Sequence, residues 1–408
     1  MKIGFFLLIF CLFFPSSFLL AQSSPPKSIV QEVNQAEDIY LKKVLKGASN
    51  LALTLYRSLE ERAQNSYFSA YSLAIGLSMV GQAANDSTRV EIEKTLQFPI
   101  SLAPLFSSIN AYLENNKKSR YFHFIINNNV WIDQNREVIP AYLFSLKRVF
   151  DYVLQPIDFS RPSEAFTMIN QAVFQQTQGK IPSMLLPQDV TSSLQILLTS
   201  GFYFHGTWVK PFDPVETKKM AFKTKNSLFN VEMMRRKDYY LLSQQPKFTL
   251  IELPYRSLEE GKAQMSLTLL LPAEGVSLEQ VKKELTIDNW YFWMNTLKPQ
   301  LIDLFLPKFR VEDRFDLSNG LKEMGMSNPF LPTANFSIAS KKPLALSKVI
   351  QRAIFHVNEG EGSRLPLSKI FSQQEEAASF IFNKPFIFIL QERTTRLILG
   401  IGKLEQPY

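Results

Sequence analysis

The sequence predicts an α+β fold. Helical periodicity crowds the first half of the chain and strand patterning dominates the second, and neither an internal repeat nor a low-complexity linker separates them. With 46% hydrophobic and 20% charged residues, the 408-residue chain can bury a substantial core. A single domain over residues 47–408 fits this pattern better than a string of modules.

Residues 1–21 read as a signal peptide. Lys2 is the charged end, residues 3–14 are the apolar stretch, Pro15-Ser16-Ser17 breaks it, and Ala21 offers a small residue for cleavage. The alternative is an uncleaved anchor, because Leu19 is not the usual small residue there. No other run reaches the roughly 18 apolar residues that a membrane helix needs. Residues 22–46 are polar and weakly periodic, and read as a loosely ordered lead-in.

The first helix is expected over 49–62, capped by Ser49 or Asn50, with Leu51, Leu55, Tyr56 and Leu59 on one face. Asn65 to Ser69 turns into a short strand. A helix over 70–83 is apolar nearly all round and should be central. Helices follow at 88–96 and 102–113, a long strand at 121–133, and helices at 140–149 and 163–177. Gly179 supplies the stop of the last, since glycine tolerates a left-handed end. Residues 194–205 form an unbroken apolar run, as expected of a strand buried on both faces. Strands and hairpins fill 220–271. Ser277-Leu278-Glu279-Gln280 has the form of a capping box. A helix near 288–297, a strand over 301–311 and a helix over 315–324 come next, and strands at 385–391 and 397–404 close the chain.

One stretch does not fit this alternation. Residues 353–357 and 382–389 read as strands, but the span from Ser363 to Ile381 between them is mixed in character, with glycines at its start, Pro366, and the polar run Ser372 to Glu376. A loop that long inside a compact domain is functional or disordered.

The single cysteine, Cys11, lies in the targeting segment, so the mature chain has none. Disulfides, a thiol nucleophile and cysteine metal ligands are excluded. The formal charge of +8 falls to +7 without Lys2. Its densest clusters, Lys117-Lys118-Ser119-Arg120 and Arg235-Arg236-Lys237, offer a surface to an anionic glycan, the alternative being solvated turns. The three histidines, His123, His205 and His356, show no metal-ligand spacing. Gly400-Ile401-Gly402 lacks a third glycine and sits in a terminal strand, and no Gly-x-Ser-x-Gly elbow occurs. The chain reads as a non-enzyme without metal, cofactor or nucleic-acid partner.

The motifs in order resemble one known family, the serpins. Asn50-Leu51-Ala52-Leu53-Thr54-Leu55-Tyr56 resembles the family's first helix, and Asn65 to Ser72 its Asn-x-x-Phe-Ser-Pro-x-Ser motif, with Ala70 for the proline. Ile169-Asn170, Thr177-Gln178-Gly179-Lys180-Ile181, Phe202 to Trp208, Val231 to Met234, Glu252 to Tyr255, Leu306 to Phe309 and Phe382 to Phe386 continue the order up to Gly402-Lys403.

The resemblance implies three β-sheets, eight to nine helices and an exposed reactive loop, on a secreted monomer (periplasmic in a bacterium) with no membrane contact once the signal is removed. It implies inhibition of serine or cysteine endopeptidases. The protease cleaves the loop, and the loop's first half enters the largest sheet before the acyl-enzyme can hydrolyse. The hinge would be Glu359, Gly360, Glu361, Gly362, Ser363 and Arg364. Counting from either end places the scissile bond among Gln373, Gln374, Glu375 and Glu376. A polar patch controlling sheet opening would comprise Ser69, Ser72, Thr199 and Gln351.

The hinge departs from the family's inhibitory pattern, roughly Glu-Gly-Thr-Glu-Ala-Ala-Ala-Ala after Val-Asn-Glu. Ser363-Arg364-Leu365-Pro366 replaces the small-residue run, and Pro366 cannot donate a ladder hydrogen bond. A non-inhibitory binding protein or protease substrate is therefore the competing expectation.

Overall fold

The computed structural model describes residues 35–59, 64–115, 121–257, 264–360 and 376–407. Among them are nine α-helices and fourteen strands, numbered here in chain order. The first half holds α1 (Gln35–Ser58), β1 (Ser66–Phe68), α2 (Ala70–Gly81), α3 (Asp86–Leu96), α4 (Leu105–Asn115), β2 (Phe122–Asp133), α5 (Pro140–Phe150), β3 (Pro156–Ile157), α6 (Pro162–Gln176) and β4 (Ile196–Gly206). Then come β5 (Lys218–Lys223), β6 (Leu228–Gln244), β7 (Phe248–Pro254), β8 (Met265–Pro272), α7 (Leu278–Lys283) and α8 (Ile287–Thr296). The chain ends with β9 (Lys298–Pro307), β10 (Phe309–Asp316), α9 (Ser318–Glu323), β11 (Leu346–Val357), β12 (Ala378–Ile381), β13 (Phe386–Glu392) and β14 (Ile398–Leu404).

Two hydrogen-bonded networks result. One sheet runs β10-β11-β4-β2-β3. The other runs β1-β14-β13-β8-β7-β6-β9-β12, with β5 also on β6. The second network contains two of the three implied sheets, joined through β6. This 17-residue strand pairs first with β5, then with β9, and at its end with β7.

All twelve residues of α2 are buried, as its all-round apolar sequence requires. It packs beneath β2, β4 and β14. Period-2 alternation gives β4 two faces. Ile196, Leu198, Phe202 and Phe204 join the main core on the α2 side, while Leu197 and Tyr203 join a second cluster with Ala165, Ile169 and Val173 of α6. Gly400 and Gly402 are structural: a Cβ at either would collide with Tyr67 or Ser66 of β1, which pairs closely with β14.

Several boundaries differ from expectation. Residues 35–46 are not a loose lead-in but the first turns of α1, burying Leu41, Val44 and Leu45. Their i, i+3, i+4 spacing was hidden among polar neighbours. The strand expected over 301–311 is two strands hinged at Lys308, whose N–H turns to Glu232 O. Phe315 and Asp316, expected in a helix, finish β10 against Gln351 and Ile350. β11 begins at Leu346, seven residues before the expected start, because Gln351 faces inward and breaks the apolar alternation. Residues 378–381, expected in the long loop, form β12, parallel to β9. The signal peptide at residues 1–21 lies outside the described residues.

Candidate functional site

The five-stranded sheet is antiparallel except at its edge pair β2–β3 and at one central seam. There β11 and β4 lie side by side in parallel, with ten register pairs from Leu346↔Ile196 to His356↔His205. No strand separates them.

Beneath the middle of this seam lies a buried polar patch. Ser69 caps α2: its Oγ accepts from Ser72 N at 3.1 Å and donates to Leu399 O at 2.6 Å. The Gln351 amide accepts from Ser69 N at 2.8 Å and donates to Ser69 O and Ser200 Oγ, both at 2.9 Å. Ser200 Oγ lies 3.0 Å from Ser72 Oγ, which is also within hydrogen-bond distance of Gly201 O and Asn128 Oδ1. Ser69, Ser72, Ser200 and Gln351 are all fully buried. The Gln351–Ser200 bond crosses the seam, so β4 and β11 cannot part without breaking it.

Of the four predicted patch residues, Ser69, Ser72 and Gln351 come together and Thr199 does not. Thr199 is on the opposite face, accepting from Trp131 Nε1 at 2.9 Å. Ser200 holds the place expected for Thr199. Residues one apart on a strand face opposite ways, so a one-residue slip in alignment moves the side chain through the sheet. The alternation of β4, with Leu198 and Phe202 toward α2, was the signal that singled out Ser200. Asn128 was also missed.

At the top of the seam β11 runs out into the hinge. Trp208 Nε1 donates to Asn358 O at 2.7 Å, Phe212 N donates to Glu359 O, and Gly360 N donates to Asn358 Oδ1. Glu359 Oε1 accepts from Thr217 and lies 3.3 Å from Lys308 Nζ, which also pairs with Glu232. Partial burial works against the Lys308 charge, but its bonds to Glu232 and Glu359 hold its pKa above the ordinary value. Gly360 has φ +83, and a Cβ there would press on Trp208. Glu361, Gly362, Ser363 and Arg364 of the predicted hinge lie outside the described residues, as do Gln373, Gln374 and Glu375. Glu376 is described and exposed.

The three histidines occupy one row across the sheet, since His123 pairs with His205 and His205 with His356. Register, invisible in the sequence, makes them neighbours. The His205 and His356 rings lie 5.8 Å apart across the seam. His356 Nε2 is buried without a partner. Burial, then the positive Arg310 and the neighbouring His205, push its pKa from 6.5 down to about 4.

Of the basic clusters, Arg235 is bidentate on Asp303 and Arg236 is held by Asp238 and Pro211 O. Residues 117–120 lie outside the described residues.

Comparison with known proteins decides the family, because the model for serpins (serine protease inhibitors) matches residues 46–407. The chain is a serpin. It is 29% identical to the leukocyte elastase inhibitor of Sus scrofa over 378 residues, 88% of this chain and 98% of that protein. An uncharacterised serpin-like protein of Methanosarcina mazei is 28% identical, over 87% of this chain and 85% of its own. Among solved structures, mouse protein-Z dependent protease inhibitor superposes with a TM-score of 0.81, covering 91% of this chain and all of that one at 23% identity. In this serpin β11 ends beside Trp208 and Phe212, at the upper end of the seam that the Gln351–Ser200 bond crosses.

Proposed function

We propose that this chain is an exported serpin that inhibits serine or cysteine endopeptidases by trapping them. The observation that carries the reading is the parallel β4–β11 seam with the loop rooted at its upper end. A segment that turns back after Gly360 runs antiparallel to β11, and hence antiparallel to β4 as well. Inserting it replaces one parallel ladder with two antiparallel ones, the slightly more stable kind. Ten paired positions would give about ten additional ladder bonds, roughly 5–15 kcal/mol at about 0.5–1.5 kcal/mol net each. An intact loop, tethered at β11 and β12, cannot release that free energy; a cut loop can. Cleavage among Gln373 to Glu376 leaves the first half of the loop free to insert, carrying the acylated protease with it. Arg235 and Arg236 already face Asp303 and Asp238, which leaves them less free charge to offer an anionic glycan.

A second reading, a serpin that is cut without trapping, is favoured by Arg364 and Pro366 in the segment that must insert. One experiment separates them. The purified protein is incubated with a panel of serine and cysteine proteases and run on denaturing gels. A covalent complex that survives SDS supports trapping. Clean cleavage near Gln374, with no complex and no rise in melting temperature, overturns it. An early cut after Lys369 without complex does the same.

A further inference from the structure

The fork in β6 creates a cavity that loop insertion does not use. Pairing between β6 and β7 ends at Leu241↔Glu252, while β6 stays on β9 from Leu242 back to Met233. Before Leu241, β6 therefore diverges from β7; Leu253 and Pro254 pair with β8, and Pro254 O accepts from Val209 N. The gap is a cavity of about 200 Å³ whose walls include Trp208, Tyr240, Leu241, Leu253 and Pro254. A cavity of ~150 Å³ holds one benzene ring, so this one has room for a small bicyclic ring.

Its polar groups are unevenly satisfied. The Glu252 side chain is fully buried in the wall. Its Oε1 accepts from Ser266 Oγ and Arg393 Nε, yet its Oε2 has no partner. Tyr240, 6% exposed, has an unpartnered Oη. A buried carboxylate oxygen and a buried phenol left unbonded are each costly. On the outer side stand Lys210 and Tyr239, 40% and 50% exposed. Lys210 Nζ uses two donors, on Asp238 and Tyr239 O, and an ammonium has three. Glu252 is matched by Arg393 and Arg396, and Lys210 shares the single carboxylate of Asp238 with Arg236, so cations outnumber carboxylates around the cavity.

We propose that this cavity is a binding site for a small aromatic acid: a planar ring with one N–H or O–H donor and a carboxylate. The ring occupies the apolar space between Trp208, Leu253 and Pro254. The donor satisfies Glu252 Oε2. The carboxylate accepts from Lys210 and the Tyr240 hydroxyl. An occupant abuts the Trp208 ring that holds Asn358 at the hinge, so binding reports in the indole fluorescence and in loop cleavage.

The test is calorimetric titration of the full chain with indole-3-acetate, indole, 1-naphthaleneacetate and tryptamine. Indole-3-acetate is expected to saturate below about 1 mM. Removing the carboxylate (indole) or the ring donor (1-naphthaleneacetate) should weaken binding about tenfold, the worth of one charge-assisted hydrogen bond. Tryptamine, with the opposite charge, should bind weakest. Leu241→Trp, which fills the cavity, should abolish binding, and Lys210→Met should weaken indole-3-acetate but not indole. The ligand series needs no variant to fold. Failure of indole-3-acetate to saturate, tryptamine binding as well as it does, or unchanged affinity in a folded Leu241→Trp each overturns the assignment.

Discussion

Gln351→Met tests the patch beneath the seam. The substitution keeps length and apolar volume but removes every hydrogen bond of the amide: those with Ser69 N, Ser69 O and Ser200 Oγ. Ser200 Oγ keeps its contact with Ser72. Ser69 O keeps its bond from Leu73 N, but Ser69 N, in a fully buried residue, is left unpaired. Stranding one buried group costs about 1–3 kcal/mol, and that is the loss expected. Urea unfolding of the uncleaved protein, followed by intrinsic fluorescence, measures it as a lower midpoint at unchanged slope. The same change removes the side-chain bond across the seam, so β4 and β11 should also part faster. Warming at fixed concentration, with size-exclusion sampling, should show oligomer or inserted monomer forming several-fold sooner than in the parent, since about 1 kcal/mol off the barrier is roughly fivefold in rate. A stability loss below about 0.5 kcal/mol would mean that the patch carries no such weight. A full loss with an unchanged opening rate would mean that the patch holds α2 but does not fasten the seam.

Three further expectations concern the same sheet. Thr199→Val, on the opposite face, leaves the buried Trp131 Nε1 unpaired and should also cost about 1–3 kcal/mol in urea unfolding, but without hastening oligomer formation. Gly360→Ala forces a side chain into φ +83 against Trp208 and should cost about 1–2 kcal/mol, seen as a lower midpoint and faster proteolysis of the hinge. His356 is held neutral in the fold. Its contribution is therefore complete above pH 6.5 and is lost as pH falls from 6.5 through about 4, the unfolded chain binding the extra proton in that window. The shift sets a ceiling of ~3 kcal/mol, which the ring's partial exposure reduces to ~1–2 kcal/mol. Comparing the urea midpoint of His356→Phe with the parent at pH 7.5 and 4.5 should show the parent losing more; equal losses would contradict the assignment.

The legible elements were those whose pattern is set by one environment. α2 is buried all round and α7 announces its capping box, and both stand where the sequence puts them. What stayed hidden was set by two environments at once. β11 carries Gln351 inward to serve α2, so its first seven residues lack strand alternation. β6 serves two sheets, and its fork is a matter of register that no local pattern encodes. The same holds for the site. Ser69 and Ser72 came from the resemblance, through a motif of consecutive residues that can be read along the chain. The cross-sheet partner of Gln351 is fixed by pairing, and a slip of one residue exchanged Ser200 for Thr199. The histidine row likewise exists only once β2, β4 and β11 are aligned.

Whether the seam can trap a protease turns on the two residues that depart from the small-residue run. Arg364 and Pro366 are two apart, so in any extended insertion they share one face of the sheet. Both faces at the seam are lined by packed side chains: Ala353 and Phe355 toward α2, Ile350 and Ile354 toward α6. Either way the guanidinium meets an apolar layer near the start of the insertion, where speed matters most. Pro366 then forfeits one ladder bond, about 0.5–1.5 kcal/mol, and adds a steric cost. Their combined penalty of a few kcal/mol is small beside the ~5–15 kcal/mol available from a full strand. It therefore affects the rate of insertion far more than its end point. Arg364→Thr with Pro366→Ala should shift the products of a cleaving protease toward SDS-stable complex and away from cleaved free serpin, at unchanged cleavage rate. If the partition does not move, the hinge is not what limits trapping, and the delay must lie in parting β4 from β11.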